Sequence, residues 1–311
     1  MRAIVTGGAG FIGSHVVDAL VARGDEVVVI DDLSNGKREN VNTGATLVVA
    51  DVRDEEAVGK ALADLRPDAC LHLAAQADVR VSVSRPVFDA EVNVLGTIRL
   101  LEAAREHEAR IVFASTGGAI YGECAEPATE ESVRAPLSPY GASKLAGEEY
   151  LATYNRLYGS GHSALRFGNV YGPRQDPHGE AGVVAIFLGR LAREEVPHIF
   201  GDGSQQRDYV FVGDVARVVL AALERPAGVF NVGTGVATSV VDLFEECRTA
   251  AGADVEAIFD SPRLGELQRS VLDTALSERE LGFRAETSFA DGIAMTWESI
   301  RAEGEAVLGA N

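Results

Sequence analysis

The sequence predicts an α/β fold: a doubly wound parallel sheet followed by a smaller C-terminal domain. Three observations predict it. Short, continuous, β-branched runs alternate with amphipathic helical stretches through the first half of the chain. Runs of that kind are buried on both faces, as in parallel strands covered by helices on each side. A glycine-rich turn, Gly7-Gly8-Ala9-Gly10-Phe11-Ile12-Gly13, joins the first run to the first helix. Beyond about residue 168 the alternation weakens and Gly and Pro gather, at Gly172-Pro173, Pro177-His178-Gly179 and Gly201-Asp202-Gly203.

Each element has its own reason. Ala3 to Thr6 is an apolar run and the first strand; Phe11 to Arg23 is a helix with Ile12, Val16 and Leu20 at four-residue spacing. Glu26 to Ile30 and Thr46 to Ala50 are the next strands, and Asp54 to Leu65 is a helix opened by an Asp N-cap. Ala69 to Leu73 is a strand, Pro86 to His107 one long helix and Arg110 to Ser115 a strand. Tyr140 to Tyr158 is helical and Ser163 to Phe167 a strand. Residues 1–168 thus form the first domain and 169–311 mainly the second. Val212 to Leu223 and Val229 to Val232 read as a helix and a strand that return to the sheet edge, within about 210–232.

Composition removes several function classes. With 46% hydrophobic and 24% charged residues the chain has ordinary globular usage. A net charge of −19 argues against a surface that neutralises nucleic-acid phosphates. No apolar run reaches the ~18 residues that cross a bilayer, so no membrane partner is expected. The opening Met1-Arg2-Ala3-Ile4-Val5-Thr6 leads straight into a strand, which reads as a chain without a signal peptide. Cys70, Cys124 and Cys247 are odd in number and far apart, so neither a disulfide framework nor a metal site is expected, and a reduced cytoplasmic setting fits.

The glycine turn has the form G-x-x-G-x-x-G. Glycines let the backbone turn tightly and approach a pyrophosphate, and the following helix offers N–H donors and its positive dipole end. In a chain with 33 glycines the spacing arises by chance in roughly a third of sequences, so position carries the meaning. This turn is the first β–α turn, and the next strand ends in Asp31-Asp32. A carboxylate there can accept hydrogen bonds from the adenosine ribose diol and would repel a 2′-phosphate, which favours NAD over NADP. Lys37 and Arg38 follow closely and could hold a phosphate.

Tyr140-Gly141-Ala142-Ser143-Lys144 is a second pattern, Y-x-x-x-K on a helix. Residues at i and i+4 share a face, so hydroxyl and ammonium point the same way. Only three lysines accompany 25 arginines and seven tyrosines; about 0.07 such pairs would arise by chance. A free tyrosine has a pKa of about 10 and is a poor base at neutral pH. A neighbouring ammonium and a positive nicotinamide ring both favour the phenolate. The bland alternative is an exposed helix pair that does nothing.

With these residues in view, the sequence resembles the extended short-chain dehydrogenase/reductases, specifically the nucleotide-sugar 4-epimerases of the UDP-glucose (UDP-galactose) 4-epimerase type. The matching segments include Thr6 to Gly13, Asp31-Asp32-Leu33, Asp51-Val52-Arg53, His72 to Gln76, Asn93 to Thr97, Ser115 to Gly122, Pro139 to Lys144, Asn169 to Arg174, Gly201 to Tyr209 and Arg263 to Glu266. The resemblance implies a Rossmann sheet with bound NAD and a smaller C-terminal domain for a UDP-sugar. It implies that Gly7, Gly10, Phe11, Ile12 and Gly13 border the pyrophosphate, and that Asp31, with Asp32 and Asn35, takes the adenosine ribose. Asp51 and Val52 would edge the adenine. Leu73, Ala74, Ala75 and Gln76 would border the nicotinamide side, with Asn93 close by. Tyr140 would be the base and Lys144 would hold the nicotinamide ribose. Ser115 or Thr116 would hydrogen-bond the sugar 4-hydroxyl; this chain has one residue more before Tyr121-Gly122 than the best-known epimerases, and the reading leans to Thr116. Asn169, Arg207 and Arg263 match positions that hold a uridine diphosphate, for which arginine's bidentate geometry is suited. A homodimer packing the helices Pro86–His107 and Tyr140–Tyr158 is also implied.

Competing readings remain open from sequence. Sugar 4,6-dehydratases and nucleotide-sugar decarboxylases typically carry a carboxylate directly after the active-site threonine. Here Gly117-Gly118 stand in that place, with no carboxylate before Glu123. UDP-glucuronate epimerases need a cation for the C6 carboxylate, and Asp176 would repel one. Neutral hexoses are therefore expected, with UDP-N-acetylhexosamines or UDP-glucuronate as alternatives. A non-catalytic NAD-binding regulator usually lacks the tyrosine or the lysine, and both are present.

Overall fold

The computed structural model describes residues 1–177, 182–262 and 267–309. The strands that form the frame are β1 (Arg2–Thr6), β2 (Glu26–Asp31), β3 (Thr46–Val49), β4 (Ala69–His72), β5 (Arg110–Thr116) and β6 (Ser163–Phe167). Short strands follow: β7 (Asn169–Tyr171), β8 (His198–Phe200), β9 (Gln206–Arg207) and β10 (Tyr209–Phe211). β11 (Val229–Val232) then returns to the large sheet. Its seven strands are parallel, in the order β11-β6-β5-β4-β1-β2-β3. The winding reverses between β1 and β4, and the crevice outside the C-terminal ends of those strands is where such sheets bind ligands.

Helices cover both faces, because the central strands β1, β4 and β5 carry apolar residues on both sides. Helices α1 (Phe11–Arg23), α2 (Glu55–Leu65), α3 (Val79–Ser84), α4 (Pro86–Ala90), α5 (Gly96–Glu106), α6 (Gly117–Ile120), α7 (Pro139–Tyr158), α8 (Val183–Ala192) and α9 (Val212–Glu224) precede β11. On one face Val16, Val17 and Leu20 of α1 meet Val215, Val218 and Val219 of α9 over Val5, Val29 and Leu71. On the other, Leu62, Leu100, Leu101 and Leu151 pack on Ile4, Ile111 and Phe113. Each such side chain contributes about 1.5–3 kcal/mol by leaving water. A separate core joins Phe187 and Leu188 of α8 to Leu243 and Phe244 of α10 (Val240–Ala251), with Ile293 of the helix Phe289–Gly309. Among the described residues no helix is long and apolar enough to cross a membrane.

The stretch expected as one helix from Pro86 to His107 is instead three pieces. A π turn, Glu91–Leu95, separates α4 from α5. Its cause is Asn93, which turns inward and pairs with the loop after β4: its Oδ1 accepts from Gln76 N at 2.9 Å and its Nδ2 donates to Gln76 O at 2.9 Å. π turns of this kind often mark functional sites. Helices α3 and α6, of six and four residues, were not expected; they are too short for a 3.6-residue period to register.

His72 closes β4 in a fully determined tautomer. Thr97 Oγ1 gives its hydrogen to Asn93 O at 2.6 Å, so it accepts from His72 Nε2 at 3.0 Å. Nδ1 then accepts from Thr6 Oγ1 at 2.7 Å. Burial, followed by the charge of Lys144, pushes the ring down to about 3. His162 is likewise neutral: its Nδ1 accepts from Ile111 N at 3.0 Å, and burial, then Arg110, brings it down to about 4. The unfolded chain protonates both rings as pH falls below about 6.5 while the folded chain does not, so stability is full above that pH and is lost as it falls. Each ring contributes up to about 1.4 kcal/mol per pH unit. The melting temperature is therefore expected to fall steadily between pH 6.5 and 5, and to fall less in His162→Asn, whose amide oxygen can take the Ile111 hydrogen bond. A melting temperature flat over that range would contradict the neutral-histidine account.

Candidate active site

A cavity of 550 Å³ lies along the C-terminal ends of β1, β2 and β4. Gly7, Gly10, Asp31, Asp32, Asn35, Asp51, Val52, Leu73, Ala74, Ala75 and Gln76 all line it. Its walls also include residues that sequence reasoning missed, among them Arg53, Asp78, Val81, Arg85 and Phe88. Asp78 caps the unforeseen α3, and both guanidiniums face the Phe88 ring, Arg85 at 4.3 Å and Arg53 at 5.2 Å from its centroid. The arginine–aromatic pairs join residues that only the folded loops bring together, so no spacing rule could reveal them.

The glycine turn has a steric cause. Gly7 has φ +73°, and a Cβ there would lie 2.6 Å from Ala74 N, so β1 and β4 could not keep their loops in contact. A Cβ on Gly13 would lie 2.0 Å from Gly7 O and force α1 off the loop. No side chain caps the N-terminus of α1, which leaves its first turn to an anion. Phe11, Ile12 and Gly13 form that turn; they do not line the cavity itself. Asp31 is buried, with Oδ2 accepting from Ala9 N and Oδ1 from Leu33 N, both at 2.9 Å. The backbone thus holds a carboxylate at the cavity wall, where a 2′-phosphate would meet its charge. A narrow glycine cradle, an uncapped helix end and a fixed acid on the next strand fit a dinucleotide without 2′-phosphate.

Tyr140 and Lys144 stand in the first turn and a half of α7, whose N-cap Ser138 accepts from Gly141 N at 3.2 Å. Lys144 is buried; its Nζ donates to Ala114 O at 2.8 Å and lies 4.6 Å from the centre of the Phe113 ring. Burial brings its ammonium down to about 8, while Asp89 and then Glu148 hold it up. Tyr140 is half-buried, with the Thr116 side chain beside its hydroxyl. Burial, and next the charge of Asp89, push its phenol up to about 12; the Thr116 side chain opposes them. The α7 N-terminus also favours the phenolate.

The two hydroxyls at the end of β5 are separated by strand alternation. Thr116 faces Tyr140. Ser115, named beside it from sequence as a catalytic and cofactor residue, is turned to the other face, where its Oγ donates to Glu148 Oε1 at 2.5 Å. Glu148 is paired with Arg166 at 2.6 Å, and Arg166 Nη1 donates to Tyr121 Oη at 2.7 Å. Ser115 is thereby occupied in a buried structural network.

The two glycines after Thr116 also differ. A Cβ on Gly117 would lie 2.6 Å from both Leu272 methyls, so this glycine serves packing. A Cβ on Gly118 would meet only Asn169 Oδ1, at 3.6 Å, and Thr116 Oγ1, at 3.9 Å. Gly118 therefore leaves open space bounded by Thr116 and Asn169. Asn93 sits behind Gln76 and reaches Ser143 Oγ at 3.1 Å. Arg207 lies on β9, with Nη1 donating to Gln206 O at 2.8 Å. Arg263 lies outside the described residues.

This arrangement, a dinucleotide cradle with a Tyr–Lys pair on a neighbouring helix, defines a class of NAD-dependent enzymes that move a proton and a hydride. The chain belongs to the NAD dependent epimerase/dehydratase family, which it matches over residues 3–233. It is similar to the UDP-glucose 4-epimerase of Mycolicibacterium smegmatis, with 49% identity over 97% of this chain and 99% of that protein. The crystal structure of UDP-glucose 4-epimerase from Thermotoga maritima with UDP-glucose matches with a TM-score of 0.95 and 46% identity, over 97% of this chain and 99% of that one. That of the Thermus thermophilus UDP-glucose 4-epimerase in complex with NAD matches with a TM-score of 0.92 and 48% identity, over the same shares.

Proposed function

We propose that the protein is an NAD-dependent UDP-glucose 4-epimerase, inverting C4 of UDP-glucose and UDP-galactose. The observation that carries this is Tyr140 beside Thr116, one helical turn before Lys144, with Thr116 Oγ1 bordering the space that Gly118 leaves open. The identity to full-length epimerases supports the substrate class. Bound NAD supplies a reversible hydride acceptor for C4. Tyr140 takes the proton of the 4-hydroxyl and returns it after inversion. Thr116 orients that hydroxyl and steadies the phenolate. Lys144, fixed by Ala114 O, would hold the nicotinamide ribose, and its ammonium on the Tyr140 side of α7 would favour the phenolate. Asn169, Arg207 and Arg263 hold the uridine diphosphate, so binding energy comes from the part of the substrate that does not react and the 4-keto sugar is free to turn.

The absence of a carboxylate next to Thr116 favours inversion over loss of water or carbon dioxide. Purified protein given UDP-galactose, UDP-glucose, UDP-N-acetylglucosamine and UDP-glucuronate separately, without added cofactor, is expected to interconvert the first two at unchanged mass by proton NMR. A product lighter by water or carbon dioxide would overturn this reading.

Gly118→Ala is expected to fold normally and to lose about tenfold in kcat/KM, about 1.4 kcal/mol at the reacting sugar. Gly117→Ala is expected instead to lower stability by about 1–3 kcal/mol through overpacking on Leu272. Paired melts and kinetics check both; equal effects from the two variants would contradict the division. The protein acts as a homodimer in this proposal: Val87 of α4, Leu95 of the π turn and Leu157 of α7 are exposed apolar residues. A cytoplasmic setting accords with three free cysteines, two of them buried.

A further inference from the structure

We propose that Asp89 is a positioning residue for the Tyr140–Lys144 pair: a buried carboxylate that ties the first turn of α7 in place and supplies the negative charge against which Lys144 remains an ammonium. This rests on the function proposed above.

Asp89 lies on α4, which packs against α7, and is 1% exposed. Its Oδ1 accepts from two amides, Gln76 Nε2 at 3.0 Å and Asn93 Nδ2 at 3.1 Å. Its Oδ2 is buried with no hydrogen-bond partner. Burying a carboxylate this completely costs several kcal/mol unless a cation compensates it. Among the described residues no arginine or lysine forms an ion pair with it; Arg85, its nearest basic neighbour along the chain, is exposed and stacks on Phe88. The buried cation close enough to act on it is Lys144, across the α4–α7 contact.

The same network reaches the base. Asn93 Nδ2 donates to Ser143 Oγ at 3.1 Å, and Ser143 Oγ donates to the carbonyl of Tyr140 at 2.9 Å. The loop after β4, the π turn and the start of α7 are thus cross-linked around one carboxylate. The other charged groups near Lys144 are already satisfied. Glu148, which holds the Lys144 ammonium up after Asp89, is itself ion-paired with Arg166, and His72 is uncharged. Glu91, on the π turn, is exposed. A negative charge at Asp89 raises the titration of both Lys144 and Tyr140. It keeps Lys144 charged in a dry site while making Tyr140 a stronger base once ionised.

Asp89→Asn is the discriminating variant. Its amide oxygen can still accept from Gln76 and Asn93, so the hydrogen bonds survive and only the charge is removed. Both limbs of the pH profile of kcat/KM are expected to move to lower pH by about one pH unit, with Tyr140 ionisation followed independently by tyrosine 13Cζ NMR in the NAD-bound protein. Limbs and NMR titration unmoved from the parent would overturn the proposal and leave Asp89 a packing residue. If Asp89→Asn does not fold, the 13Cγ signal of Asp89 in the unaltered protein decides: a carboxylate ionised throughout pH 6–9 supports the proposal, and a protonated one overturns it. The NMR readouts need no turnover, so an inactive parent enzyme would count against the epimerase reading and not against this one.

Discussion

Tyr140→Phe is expected to lower turnover by about 10³–10⁴-fold while leaving fold and bound NAD intact. Phenylalanine fills the same half-buried slot and keeps the α7 turn, so the change removes one hydroxyl beside Thr116. That hydroxyl lies beside Thr116, whose Oγ1 borders the space left open at Gly118. Burial, and next the charge of Asp89, leave it a weak acid, pushed up to about 12. The ammonium of Lys144, the α7 N-terminus and the positive nicotinamide must bring it down, which ties proton transfer to cofactor binding. The check is turnover together with the nucleotide released on denaturation. Activity within tenfold of the parent would show that another group takes the proton. A variant without NAD would make Tyr140 a binding residue.

Arg166→Met carries the largest expected loss of stability, about 3–5 kcal/mol. Arg166 is 1% exposed, and its pair with Glu148 is closed by Tyr121, whose hydroxyl donates to Asn231 Oδ1 at 2.7 Å. Arg166 Nη1 also donates to Glu130 O at 3.2 Å. These contacts join β5, β6, β11 and α7 beneath the site. Removing the guanidinium leaves Glu148 buried without its ion-pair partner, and Ser115 supplies no charge in its place. Adding Glu148→Leu to Arg166→Met is expected to recover part of the loss, because the uncompensated charge goes too. Urea unfolding of the two single variants and the double variant measures the coupling. A single-variant loss under about 1 kcal/mol would show that the pair is solvated.

Much of the sheet was legible because its signal is local. Runs such as Ala3-Ile4-Val5 and Ile111-Val112-Phe113 are apolar on both faces, and only a buried parallel strand needs that. The glycine turn and the i, i+4 spacing of Tyr140 and Lys144 are local for the same reason. What stayed hidden depends on contacts between distant segments. Which of Ser115 and Thr116 faces the site turns on where β5 meets α7, and a one-residue shift exchanges the two faces. The π turn is hidden because the apolar spacing around Asn93 suits an unbroken helix; its cause is a pairing with Gln76, 17 residues earlier. Asp89 reads as one more acid in a helix until the fold buries it behind α7. The division of Gly117 from Gly118 requires Leu272, more than 150 residues away.

The central claim is that C4 is inverted by hydride leaving and returning within one bound substrate, with Tyr140 carrying the hydroxyl proton. The most direct test is conversion of UDP-galactose deuterated at C4 in ordinary water, with the product analysed by proton NMR and mass. Internal return predicts UDP-glucose that keeps its deuterium at C4 at unchanged mass. Product that has exchanged the label for hydrogen from water would contradict it.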